Sequence, residues 1–186
     1  MPDLEQIGHG AGRYSDEPLP AYRFLPGYTP HPITHPQGHS HGVVAETPAP
    51  LPPSAWSLSL PYLFGCDLYN RAYWWEAHEA WESLWQVTRA APAQHRFLQG
   101  LIQAANAQLK LALGKAQAVR RLWIKAENHW QVAGAPSRYM GLELSAWRRR
   151  TASYLELRLA ETPYRHDPAA FPLLNLQDLA GAPIVD

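Results

Sequence analysis

The sequence predicts an all-α protein: a compact bundle of about five short antiparallel helices, with an extended N-terminal arm and C-terminal tail wrapped on its surface. Three observations carry this reading. Between residues 61 and 160, apolar residues recur at three- and four-residue spacing over segments of helical length. The breaks between segments fall at Pro92, Gly114, Gly134, Pro136, Gly141 and Pro163, residues that stop or turn a helix. No alternating strand pattern and no internal repeat is present. The 186 residues therefore divide into an arm, 1–54, that is not an independent domain, a helical domain, 55–162, and a tail, 163–186.

The arm is rich in proline and histidine. It holds eleven of the eighteen prolines, and five of the nine histidines: His9, His31, His35, His39 and His41. Pro26-Gly27, Pro30-His31-Pro32 and His35-Pro36-Gln37-Gly38 are turn and extended-chain signals, since proline removes the backbone donors that helices need. Tyr22, Phe24, Leu25 and Tyr28 are apolar anchors, so the arm is expected to wrap over the helical body with its first fifteen or so residues loose.

The first helix is expected over 61–69, with a break at Asn70-Arg71, and the second over 73–88. Pro92 marks a turn before a third helix over 93–113, which Gly114 ends. The fourth spans 116–132, with Val119, Leu122, Trp123, Ala126 and Trp130 on one face. A fifth covers 142–160 and Pro163 stops it. The remainder, with Phe171-Pro172-Leu173-Leu174, reads as an extended tail on the surface.

The second helix is the most informative. Trp74, His78, Trp81 and Trp85 follow a four-three-four rhythm along one stripe, and Trp75, Glu79, Glu82 and Gln86 form the next. Together they make an aromatic face wide enough to be core, leaving Glu76, Ala80 and Ser83 outward. Glu79 and Glu82 then lie in or at the rim of the core, where like charges a turn apart repel by roughly 0.2–0.5 kcal/mol even when exposed. A proton, a cationic side chain or a metal should neutralise them.

On the third helix, Leu98, Leu101, Ile102, Ala105, Leu109 and Ala112 form the core stripe. Gln99, Gln103, Asn106 and Lys110 form a polar one beside it. Gly100 costs that helix about 1 kcal/mol relative to alanine, which a bulky neighbour at close approach would explain, the tryptophan face of the second helix being the candidate. A polar pocket is thus expected between the second and third helices, roofed by the arm and lined by Trp75, Glu79, Glu82, Gln99 and Gln103.

His78 and Glu82, four apart on one face, can ligate one ion, and Glu79 can serve as a further ligand or as a general base. The arm could complete such a site with His31, His35, His39 or His41, His31 and His39 foremost. Imidazole with carboxylates suits a divalent Zn, Mn or Fe ion. A zinc-protease helix would need histidine at position 82, and a di-iron bundle needs Glu-x-x-His motifs that the chain lacks. Cys66, in the apolar run Leu63-Phe64-Gly65-Cys66, reads as a small core residue.

Tyr69-Asn70, then Tyr73 through Trp85 with His78-Glu79-Ala80-Trp81-Glu82, then Phe97-Leu98-Gln99-Gly100-Leu101-Ile102-Gln103, together resemble the domain of unknown function 309 family over roughly residues 61–132. The arm, with Pro26-Gly27-Tyr28-Thr29-Pro30-His31-Pro32 and Gly38-His39-Ser40-His41-Gly42, is similar to that of longer bacterial members. The resemblance implies a small all-α protein with shared positions at His78, Glu79 and Glu82, and implies no particular activity.

Sixteen basic and sixteen acidic residues cancel, so no long-range field invites nucleic acid or an anionic membrane. Arg148-Arg149-Arg150 reads as a solvated helix face. One cysteine excludes an internal disulfide, no apolar run suits a bilayer, and no signal peptide is evident; a cytoplasmic protein is expected. Two functions fit. One is a structural or interaction module in which Glu79 and Glu82 accept hydrogen bonds from backbone or indole N–H groups. The other is a metal-binding protein or metal-dependent hydrolase with Glu79 as base. The partner, small ligand or protein, and the oligomeric state are left open by the sequence.

Overall fold

In the computed structural model, which describes residues 4–44, 46–134 and 136–177, the helices follow in chain order as α1 Leu60–Asn70, α2 Trp74–Val87, α3 Pro92–Ala112, α4 Ala116–Val132 and α5 Leu144–Ala160. The expected boundaries hold to within two residues. A short kinked 3-10 segment, Pro53–Leu58, precedes α1 and was not foreseen. Proline occupies the first turn of α1 and α3, where its missing N–H is no loss. Among the described residues there are no strands; isolated bridges join Leu142 to Tyr139 and to Leu176.

Each of α1 to α4 packs chiefly on its neighbour in sequence. Helix α5 joins through Trp147, whose ring meets those of Trp130 at 5.8 Å and Tyr69 at 5.8 Å. Two glycines set how closely the helices approach. A Cβ on Gly100 would lie 2.2 Å from Trp130 Nε1, and one on Gly65 would lie 2.2 Å from Trp81 Nε1. Gly100 therefore does meet a bulky neighbour, but the tryptophan comes from α4. The tryptophan face of α2 closes instead on Gly65 of α1. In both places the indole N–H donates to a carbonyl one turn before the glycine: Trp81 to Tyr62 O at 3.3 Å and Trp130 to Phe97 O at 3.1 Å.

The extended segments are more deeply integrated than their composition suggests. Leu4, Ile7 and Ser15 are buried, so the beginning of the arm is not loose from residue 4 onward. The tail does not simply lie on the surface either, because Phe171, Leu174 and Leu176 belong to the core. Its remainder, 178–186, is outside the described residues. Asn70 clamps the tail in both directions, donating to Leu174 O at 2.9 Å and accepting its N–H at 2.7 Å. Local polarity had hidden what a few apolar anchors and one buried amide accomplish.

His166, unremarked in the sequence, secures the start of the tail. Its ring lies against Trp74 with centroids 4.5 Å apart. Nε2 donates to Gln108 O at 3.0 Å, so Nδ1 accepts the Tyr154 hydroxyl at 2.8 Å. Burial penalises the imidazolium and brings this histidine down to about 4.

Gly100→Ala gains helix propensity, yet the Trp130 ring must move to admit the methyl. A net loss of about 1–3 kcal/mol is expected, read as a lower urea midpoint; an unchanged midpoint would mean that Trp130 yields freely. For His166, the unfolded chain binds a proton near 6.5 whereas the folded one does so only near 4. Its contribution is therefore complete above pH 6.5 and declines as the pH falls toward 4. The stability difference between wild type and His166→Gln should shrink by about 2 kcal/mol from pH 7 to pH 5, measured by urea unfolding at both pH values.

Candidate functional site on the arm-facing edge of α2

The core face of α2 is Trp74, Ala77, Trp81 and Leu84, all buried. Relative to the expected face it is turned toward Ala77, which brings Glu76 inward. Glu76 is not an outward residue: only 5% of it is exposed. Helical spacing alone does not reveal this, because Glu76 is buried by the arm rather than by another helix.

Two arm residues reach it. Glu76 Oε1 accepts the Phe24 N–H at 2.8 Å and lies 3.1 Å from His39 Nε2. His39 Nδ1 is 2.9 Å from Ser40 Oγ, and the His39 backbone N–H donates to the Tyr22 hydroxyl at 3.2 Å. With Glu76 ionised, His39 Nε2–H donates to it and Nδ1 accepts from Ser40, giving a continuous Ser40–His39–Glu76 chain. Burial raises the affinity of Glu76 for a proton, opposed by its hydrogen bonds to backbone N–H groups and to His39. Its Oε2 is buried and has no hydrogen-bond partner.

On the preceding helix, α1, Asp67 does the same for the start of the arm. Oδ1 accepts the Tyr14 N–H at 2.7 Å; Oδ2 accepts the Ser15 N–H at 3.0 Å and its hydroxyl at 2.7 Å. Arg13 Nε stands 3.7 Å from Oδ2. Burial pushes Asp67 upward and these partners pull it back. The signal for Asp67 was its place directly after the apolar run that ends at Cys66.

Beyond Glu76 the edge of α2 is half-buried. His78 Nε2 is 3.0 Å from Glu82 Oε2, and Nδ1 is 3.7 Å from Glu79 Oε1, without a hydrogen bond. One donor atom from each of His78, Glu79 and Glu82 lies within 4.8 Å of the others, a spacing that fits a metal ion. Burial raises Glu79; His78 lowers it and the Glu82 and Glu76 charges raise it further. Among the described residues, neither Glu79 nor Glu82 takes a hydrogen bond from a backbone or indole N–H, the role the scaffold reading gave them; Glu76 and Asp67 have it instead.

The other expected site residues are dispersed. His39 is occupied by Glu76, and His31 packs edge-on to Phe24 at 4.9 Å and to Trp75 at 5.4 Å. Neither belongs to the group formed by His78, Glu79 and Glu82. Gln99 and Gln103 are half-buried on α3, and Trp75 supports the arm. A cavity of about 510 Å³ opens not between α2 and α3 but between the arm and α1–α2, with His39, Ser40, Glu76 and Glu79 in its lining.

These features define a small all-α protein whose second helix presents a histidine–carboxylate edge to an extended arm. Residues 62–122, a segment running from α1 into α4, match the family described as Domain of unknown function (DUF309). No curated protein and no solved structure matches the chain. No helix among the described residues is long and apolar enough to cross a membrane.

Removing the acceptor in Glu76→Ala leaves the buried Phe24 N–H unpaired and should destabilise the protein by about 1–3 kcal/mol. Amide hydrogen exchange should accelerate across residues 22–42, whereas Glu82→Ala should leave that segment protected. Equal protection in both variants would show that the arm is held by its apolar anchors alone.

Proposed function

We propose that this protein is a metal-binding helical module, with a divalent cation held on the arm-facing edge of α2 by His78, Glu79 and Glu82. The observation that carries this reading is the convergence of three donor atoms within 4.8 Å, on side chains that no other described group engages. Two carboxylates stand beside a single imidazole, and a cation would supply compensating charge. Zn, Mn and Fe all suit this donor set. The arm contributes by closing over the neighbouring helix edge rather than by donating His31 or His39.

In a hydrolytic form, the cation would supply Lewis-acid activation of water, and Glu79, shifted upward by burial, would be the carboxylate placed to take a proton. The scaffold reading remains supported for a different set of residues: Asp67, Asn70 and Glu76 fasten the extended segments. The two readings occupy different side chains of the same two helices.

Tag-free protein dialysed against Zn²⁺ or Mn²⁺ should retain one equivalent, measured by elemental analysis and calorimetry. His78→Ala and Glu82→Ala should each weaken binding at least tenfold, while His31→Ala should not. Failure of wild type to retain metal, or equal retention in the His78→Ala/Glu82→Ala double variant, would overturn the proposal.

A further inference from the structure

The chain is neutral overall, yet carboxylates collect where the arm crosses α1 and α2. Glu76 and Glu79 face the 510 Å³ cavity from α2, and Glu17 and Glu46 face it from the arm. No lysine or arginine lies among its lining residues. A second hollow of about 260 Å³ shares Glu46, Glu79 and Ser83 with the first and adds Glu82. The two form one elongated groove in which five carboxylates are distributed.

The walls between those carboxylates are apolar: Val43 from the arm, and Leu60, Phe64 and Leu68 from α1. Glu76 adds an independent sign of a missing partner. It is 95% buried, since 5% is exposed, and its Oε2 accepts no hydrogen bond. A compact metal ion would satisfy one cluster of oxygens and leave the rest of the groove, and its apolar walls, unused.

We propose that this groove binds a linear aliphatic polyamine, with its ammonium groups on Glu17, Glu46, Glu76 and Glu79 and its methylene segments against Leu60, Phe64 and Leu68. Ammonium donors spaced along an alkyl chain match carboxylates spaced along an apolar wall. The volume lies in the range of small-molecule sites. The groove shares Glu79 with the proposed metal centre, so it is tested on metal-free protein; Glu17, Glu46 and Glu76 belong to the groove alone.

Isothermal titration calorimetry at physiological salt, which screens loose surface attraction, tests this with spermine, n-pentylamine and 1-pentanol. Spermine should bind with one-to-one stoichiometry and at least tenfold more tightly than pentylamine, and pentanol should give no heat. Glu17→Gln and Glu46→Gln, placed on the arm away from the latch, should each weaken spermine at least threefold, and Glu76→Gln more. His78→Ala should weaken metal binding at least tenfold while leaving spermine affinity unchanged, which separates the two sites. Absence of saturable spermine binding, or affinity unaltered in the Glu17→Gln/Glu46→Gln double variant, would overturn the proposal.

Discussion

Buried backbone without regular structure must still find partners for its N–H and C=O groups, and that constraint shapes this molecule. The arm and tail supply long stretches of such backbone. Asp67, Asn70 and Glu76 meet the need from α1 and α2: Asp67 at Tyr14 and Ser15, Asn70 at Leu174, Glu76 at Phe24. Tyr14 links the two extended segments, its hydroxyl donating to Leu174 O and accepting the Leu176 N–H, each at 3.0 Å. The arm and tail are thus held against α1 and against one another. Their apolar anchors supply the burial that favours docking, while the three side chains fix where docking occurs.

Tryptophan and glycine make the corresponding arrangement within the helices. Gly65 and Gly100 each lie three residues after a carbonyl, Tyr62 and Phe97, that accepts an indole N–H from a neighbouring helix. Without a Cβ, the helix surface beside that carbonyl is open, so a large flat ring can lie against it while its polar edge is satisfied. Burying an indole with its N–H unpaired would cost about 1–3 kcal/mol. One residue pair thus solves the packing and polar problems together, and the fold uses it once between α1 and α2 and once between α3 and α4.

The helices were legible because each buries an apolar stripe against another helix, and that contact imposes the three- and four-residue rhythm. The α3 stripe, Leu98 to Leu109, is buried as its spacing implied. Glu76 was misplaced because its burial comes from a segment some fifty residues earlier, with no rhythm to record the contact. Asp67 escaped notice for the same reason, its partners being Tyr14 and Ser15 of the arm, and His166 because it lies in the tail and meets Trp74, Gln108 and Tyr154 on three separate helices. His78, Glu79 and Glu82 were visible because all three lie within little more than one turn of a single helix. The cavity was not, because it depends on the path taken by residues 17–46.

Position along α2 explains why its three carboxylates behave differently. Glu76 lies in the first turn, where helical N–H groups lack intrahelical acceptors and the helix end is favourable to negative charge. A buried carboxylate there receives help from its own helix as well as from Phe24 and His39. Glu79 and Glu82 lie farther along, beyond that assistance, and repel one another. A single histidine stands between them, one basic group for two carboxylates. The arm relieves the first carboxylate by covering it with donors, whereas the other two are left at the surface of a groove. Among the described residues His78 is the one basic side chain beside them, and it is this imbalance that the proposed cation would answer.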